Sequence, residues 1–101
     1  MTGDALERAR RESWAHKEAN KGVRRKTTGE RYLCGLTTEE SAFLIECEAR
    51  QAAGLSASRD DGERYLALHR RFEAARIGDL SRRITYVAQH WRRSFRAHGR
   101  G

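Results

Sequence analysis

The sequence predicts an all-α protein: a small bundle of three to four short helices, with one short strand allowed near residues 31–36. Three observations carry this. Proline is absent and the chain is rich in Ala, Arg, Glu and Leu, a composition that favours helix throughout. Apolar residues recur at helical spacing, and no segment sustains strand-type alternation of β-branched or aromatic residues. Glycines and capping residues punctuate the chain at regular places. At 101 residues the length fits one domain, 1–101, within which residues 1–30 are readable as a mobile basic arm.

The first helix is expected from about Asp4 to Asn20. Its apolar positions, Leu6, Ala9, Trp14, Ala15 and Ala19, form a weak stripe, so Trp14 is its natural anchor. Gly22 to Leu36 reads as loop, with Arg31-Tyr32-Leu33-Cys34-Gly35-Leu36 able to form the short strand. The second helix has a clear start. Thr37 followed three residues later by Glu40 is a capping box, and Gly54 closes the helix. On a helical wheel Ala42, Ile45, Ala49, Ala52 and Ala53 share one face, whereas Phe43, Leu44 and Cys47 lie on another. A helix apolar on two sides is sandwiched between partners. The short chain offers little to cover both, so Phe43, Leu44 and Cys47 are expected at a homodimer interface.

Ser58 with Asp61 repeats the capping logic for a third helix, about Arg59 to Ile77, with Tyr65, Leu68, Phe72 and Ala75 on one face. Gly78 is expected to stop it. Asp79 would then cap a fourth helix, Leu80 to about His98, on which Leu80, Ile84, Val87, Trp91 and Phe95 line one side.

The charge distribution narrows the function. Lys and Arg total 21 against 14 Asp and Glu, for a net +7, and 18 of the basic residues are Arg, the side chain that best forks onto phosphate. Residues 27–66 are net acidic and both flanking segments are net basic, a polarity that steers anionic partners to the ends. The fourth helical segment has no acidic residue after Asp79. Arg82, Arg92, Arg93 and Arg96 project opposite its apolar stripe, with Arg83 and Tyr86 on the flank. Like charges one turn apart repel, and a phosphate-bearing partner gives such a face a purpose; a solvated Arg-rich surface is the plain alternative. Arg24-Arg25-Lys26 is a second dense cluster, suited to a phosphate-contacting loop. Arg8, Arg10 and Arg11 alternate with Glu7 and Glu12 and read as ordinary surface. Tyr32 and Tyr86 are the aromatics suited to base contact.

The residues Arg31-Tyr32-Leu33-Cys34-Gly35-Leu36-Thr37-Thr38-Glu39-Glu40, followed by a helix that ends Ala52-Ala53-Gly54-Leu55-Ser56-Ala57-Ser58, resemble ribbon-helix-helix DNA-binding proteins. That family combines a short strand, a Ser/Thr-x-Glu-Glu helix start and a Gly-Leu-Ser-x-Ser turn into a second helix. The resemblance implies an obligate dimer whose paired strands enter the major groove, in a repressor, antitoxin or DNA-transfer accessory protein. It spans about 36 residues. Of the strand positions that would face the groove, Arg31, Leu33 and Gly35, only Arg31 can read a base edge, so Arg31 alone is carried over. Asp60-Asp61-Gly62 stands where the family has apolar residues.

Other chemistries find no foothold. Cys34 and Cys47, with His16, His69, His90 and His98, lack zinc-ligand spacing, so no metal or cofactor is expected, only two reduced cysteines. There is no nucleophile elbow, P-loop or metalloprotease motif. His69 and Glu73, one turn apart, suit a surface ion pair. No enzyme activity is therefore expected. No apolar run reaches the ~18 residues of a membrane span and no secretory leader opens the chain, so a cytoplasmic, intracellular location is expected. The sequence points to a small basic nucleic-acid-binding protein, regulatory or accessory, contacting DNA or RNA phosphates. The competing expectation is a protein-interaction module, an adaptor or inhibitor of the phage or plasmid type, whose basic face covers an acidic partner.

Overall fold

The computed structural model describes the backbone of residues 2–99 and the side chains of residues 4–82. The order of elements is α1 (Thr2–Ala19), β1 (Val23–Arg25), β2 (Arg31–Leu33), α2 (Thr38–Ala52) and α3 (Arg59–Gly99). The described residues thus form three helices and one two-stranded antiparallel sheet, a mainly helical fold. The expected strand appears as β2, and Val23–Arg25, expected to be loop, pairs with it in the register Val23↔Leu33, Arg24↔Tyr32, Arg25↔Arg31.

The third and fourth helices expected from sequence are one helix. α3 runs through Gly78 without a break, and Asp79 is an interior residue, not a cap. One glycine inside a helix costs only about 1 kcal/mol relative to alanine, and the helix formers on either side outweigh it. At 41 residues α3 is about 60 Å long, which accounts for molecular dimensions of 68 × 26 × 25 Å.

α2 begins where the capping box requires. Thr37 Oγ1 accepts from the Glu40 amide at 3.1 Å, and the Glu40 carboxylate accepts from the Thr37 amide at 2.9 Å. Arg71 of α3 then donates to both Glu40 oxygens and to the Gly35 carbonyl, tying the start of α2 to α3. The end of α2 is also as expected: Gly54, at φ 81°, lets the Leu55 amide turn back onto the Arg50 carbonyl at 2.8 Å.

The buried face of α2 differs from the wheel assignment. Ser41, Leu44, Ile45 and Ala49 are buried, whereas Ala42 and Ala52 are exposed. Ser41, fully buried, joins β2 to α2: its hydroxyl accepts from the Leu33 amide at 2.8 Å and donates to the Thr37 carbonyl at 2.7 Å. A hydroxyl satisfied in both directions can enter a core at little cost.

The core gathers Leu33, Cys34, Leu36, Leu44, Ile45, Leu68 and Phe72, with Trp14, Val23, Phe43, Tyr65 and Ala75 around it. α1 lies along α2, and three polar contacts hold it there. Arg10 forks onto Glu46 at 2.6 and 3.2 Å, Ser13 donates to Glu48 at 2.7 Å, and Lys17 reaches the same carboxylate at 2.7 Å. Tyr65 of α3 donates to Glu48 from the other side at 2.8 Å, so one carboxylate joins all three helices.

Gly22 is where the α1–β1 turn meets α3. A Cβ there would lie 2.5 Å from Cζ of the Phe72 ring, closer than atoms pack. Gly22→Ala is therefore expected to cost about 1–3 kcal/mol through overpacking, read as a lower urea midpoint with an unchanged slope. A stability equal to wild type would show that the ring can move aside.

Candidate nucleic-acid interface

Alternation along the hairpin sorts its side chains. Val23 and Leu33 point inward, Leu33 with no exposed surface. Arg24 and Tyr32 point the other way, and with Cys34, Gly35, Ala75, Asp79 and Arg82 they line an open groove of about 260 Å³ between the hairpin and α3. The groove brings together Arg24 and Arg82, two site candidates 58 residues apart in sequence, and adds Tyr32, a candidate for base contact.

The arginines are not equivalent. Arg24 donates to Asp79 at 2.5 Å and to the Lys21 and Val23 carbonyls at 3.2 and 3.1 Å. It is engaged within the chain and fastens the hairpin to α3. Arg82 is exposed at the rim of the groove. Arg25 and Arg31 stand directly opposite each other on the hairpin, an arrangement of like charges that disfavours strand pairing. Each has a partial remedy: Arg25 lies 3.8 Å from Glu18, and the Arg31 guanidinium sits 4.4 Å from the centre of the Trp14 ring. Lys26 is 3.7 Å from Glu30. Long, exposed ion pairs such as these are worth little, so phosphate oxygens can replace the acidic partners of Arg25 and Lys26 at small cost.

Four candidates, Arg83, Arg92, Arg93 and Arg96, have side chains outside the described residues. Their backbone belongs to α3, whose sequence carries no acid beyond Asp79. Of the hairpin cluster, Arg24 alone reaches the groove where this acid-free stretch begins; Arg25 and Arg31 lie on the other face of the hairpin.

The three residues expected at a dimer interface do not form one surface. Leu44 is fully buried within the chain because the body formed by α1, the hairpin and α3 covers that side of α2. Phe43 is half-buried beneath the Arg64 guanidinium, 4.1 Å from the ring centre. Cys47 is half-buried, and burial followed by the charge of Asp61 pushes its thiol above the usual pKa. It borders a separate open cleft of about 580 Å³, shared with Leu55, Ala57, Tyr65 and Leu66. Cys34 is buried. His69 and Glu73 do not pair as expected: Glu73 accepts from Arg76 at 2.7 Å, and the imidazole lies between the rings of Tyr65 and Phe72. No described helix is long and apolar enough to cross a membrane.

Sequence reasoning missed Asp79 as the partner of Arg24 and Glu48 as the joint between helices. Asp79 carried a misleading signal, since Gly-Asp reads as a helix stop followed by a cap. Glu48 carried none, because its partners Ser13, Lys17 and Tyr65 come from two other helices. Comparison of the chain with known protein families, with curated proteins and with solved structures finds no match in any of the three.

Proposed function

We propose that this is a small nucleic-acid-binding protein, a binder rather than an enzyme, that grips phosphates through the acid-free end of α3 and through Arg25, Lys26 and Arg31 of the hairpin. The observation that carries the reading is the groove at which Arg24, Tyr32 and Arg82 meet, since it sets the exposed Arg82, where the acid-free stretch begins, beside the basic hairpin, whose Arg25 and Arg31 lie on its other face, toward α1. Basic side chains arrayed along a helix and a two-stranded ribbon suit a duplex, whose phosphates attract by charge irrespective of sequence. The resemblance to ribbon-helix-helix proteins makes double-stranded DNA the first ligand to test.

Fluorescence anisotropy with a generic DNA duplex across a salt series tests this directly. Affinity is expected to fall linearly on a log–log plot, with a slope of about −0.9 for each phosphate neutralised. Arg92→Glu combined with Arg96→Glu is expected to weaken binding at least tenfold and to flatten the slope by about 2, one unit for each arginine replaced. No binding at low salt, or binding indifferent to both substitutions, overturns the reading. A single protein retained in a pull-down from nuclease-treated lysate would favour an acidic protein partner instead.

A further inference from the structure

The continuity of α3 aligns two apolar patterns along one helix. Tyr65, Leu68, Phe72 and Ala75 face the body of the protein. Ile77, Leu80, Ile84, Val87 and Trp91 form a second series with steps of three, four, three and four residues. At 3.6 residues per turn this second series lies about 120° round the helix from the first. Ile77, its first member, is 53% exposed, and Leu66, on the same side of the helix further back, is 54% exposed. The last contacts described between the body and α3 are those of Asp79 and Arg82. The second series therefore begins at the exposed Ile77, passes the half-buried Leu80 and continues along α3.

We propose that two copies of this chain associate along the C-terminal half of α3 as a parallel two-stranded coiled coil whose seam is Ile77, Leu80, Ile84, Val87 and Trp91. An alternating three–four spacing has a period of 3.5 residues, which a straight helix lying on a globular surface drifts away from and a supercoiled partner helix follows. Isoleucine at both first-type positions preceding Trp91, with Leu80 at the second type, matches the assignment that favours two parallel strands, from which Val87 departs.

A seam of this spacing calls for a helix of the same spacing, which a second copy supplies, and the flanking charges set its direction. In a parallel pair, Arg76 and Arg83, each just before a first-type position, come opposite Ser81 and Ala88 of the other copy, which are small and uncharged. In an antiparallel pair the two arginine rows would face each other. Arg82, Arg92, Arg93 and Arg96 fall on the outer positions of the coil, so pairing leaves them free. The body, on a different side of α3, does not obstruct the seam. Trp91, the one aromatic of the seam, offers the largest apolar area of the five, about 150–250 Å² when buried. This dimer uses none of Phe43, Leu44 or Cys47, and it stands or falls independently of nucleic-acid binding.

Sedimentation equilibrium tests it without any ligand. The full chain is expected to be dimeric at tens of micromolar, and Ile77→Glu and Ile84→Glu are each expected to be monomeric there, a loss of at least about a hundredfold in self-affinity. Ile77 is exposed, so circular dichroism is expected to show its variant still folded. Direction is read separately: in a Cys47→Ser background, Ser94→Cys is expected to give a disulfide-linked dimer on mild oxidation, because a parallel seam places residue 94 beside its own copy. A monomeric wild type overturns the proposal. So does a dimer that survives Ile84→Glu, one that Phe43→Glu abolishes while Ile77→Glu does not, or failure of the Ser94→Cys cross-link.

Discussion

Phe72→Ala is expected to remove a large share of the folding stability. Phe72 is 1% exposed and is the largest fully buried side chain described. It packs among Leu33, Leu36, Leu44, Ile45 and Leu68, presses on the backbone at Gly22, and holds His69 edge-on, with the Lys17 ammonium 5.8 Å from its ring centre. It thus joins α3 to α2, to the hairpin and to the α1–β1 turn. Deleting a buried Phe side chain costs about 3–5 kcal/mol, because the cavity left behind adds to the lost transfer free energy. A domain of this size holds only about 5–15 kcal/mol in total. The melting temperature is expected to drop by roughly 15–30 °C. A fall of only a few degrees would show that the hairpin collapses into the cavity.

The second large effect is expected at Glu48. Its carboxylate accepts from Lys17, Ser13 and Tyr65, while the Lys17 side chain is only 8% exposed. Glu48→Ala leaves that ammonium buried without its counter-charge, a change that costs about 3–5 kcal/mol. Removing the charge at both ends, with Lys17→Met and Glu48→Gln together, is expected to destabilise less than Glu48→Ala alone, since Gln can accept from one of the two hydroxyls, which reach different carboxylate oxygens, and donate to the other, and no bare charge remains. Equal loss in the two variants, compared by urea unfolding, would mean that packing and not charge is what Glu48 supplies.

The same site sets a pH dependence. Burial pushes the Glu48 carboxyl up, but the hydrogen bonds from Lys17, Ser13 and Tyr65 outweigh it and hold it below the ordinary carboxylate value. Burial and the Glu48 hydrogen bond both raise the Tyr65 phenol. A carboxyl that is more acidic folded than unfolded stabilises the fold fully above its unfolded value near 4.5, and that contribution is lost as pH falls through the lower, folded value. Glu40, Glu46 and Glu73 are lowered too, by the Thr37 amide, by Arg10 and by Arg76 respectively, so they act in the same direction. Unfolding measured from pH 6 downward is expected to show stability falling below about pH 4.5, less steeply in Glu48→Gln.

How much of this was legible in the sequence depended on how local the cause was. The start of α2 was legible because Thr37 and Glu40 serve each other's amides within one turn. Its end at Gly54 was legible because a left-handed residue and the bonds that close the helix are also local. Gly78 misled for the converse reason: its signal is weak, and helix formers on both sides, with Arg24 held on Asp79, override it. The face of α2 was misassigned because Ser41 and Glu48 interrupt the apolar pattern, and only partners on β2, α1 and α3 make those polar residues fit inside. Of the candidate site, the basic clusters were visible as composition, but the approach of Arg82 to Arg24 and Tyr32 was not.

The sequence by itself determined that the chain is mainly helical, where α2 begins and ends, that one short strand is allowed near residues 31–36, and how charge is distributed along the chain. These follow from caps, periodicity and composition, which act over a few residues. Only the tertiary structure decided that Val23–Arg25 is a strand, that α3 is a single helix, that Leu44 faces inward, and that Arg24 and Arg82 share a groove. Each of these depends on a contact between residues distant in sequence, and the free energy of such a contact exists only once both ends are in place.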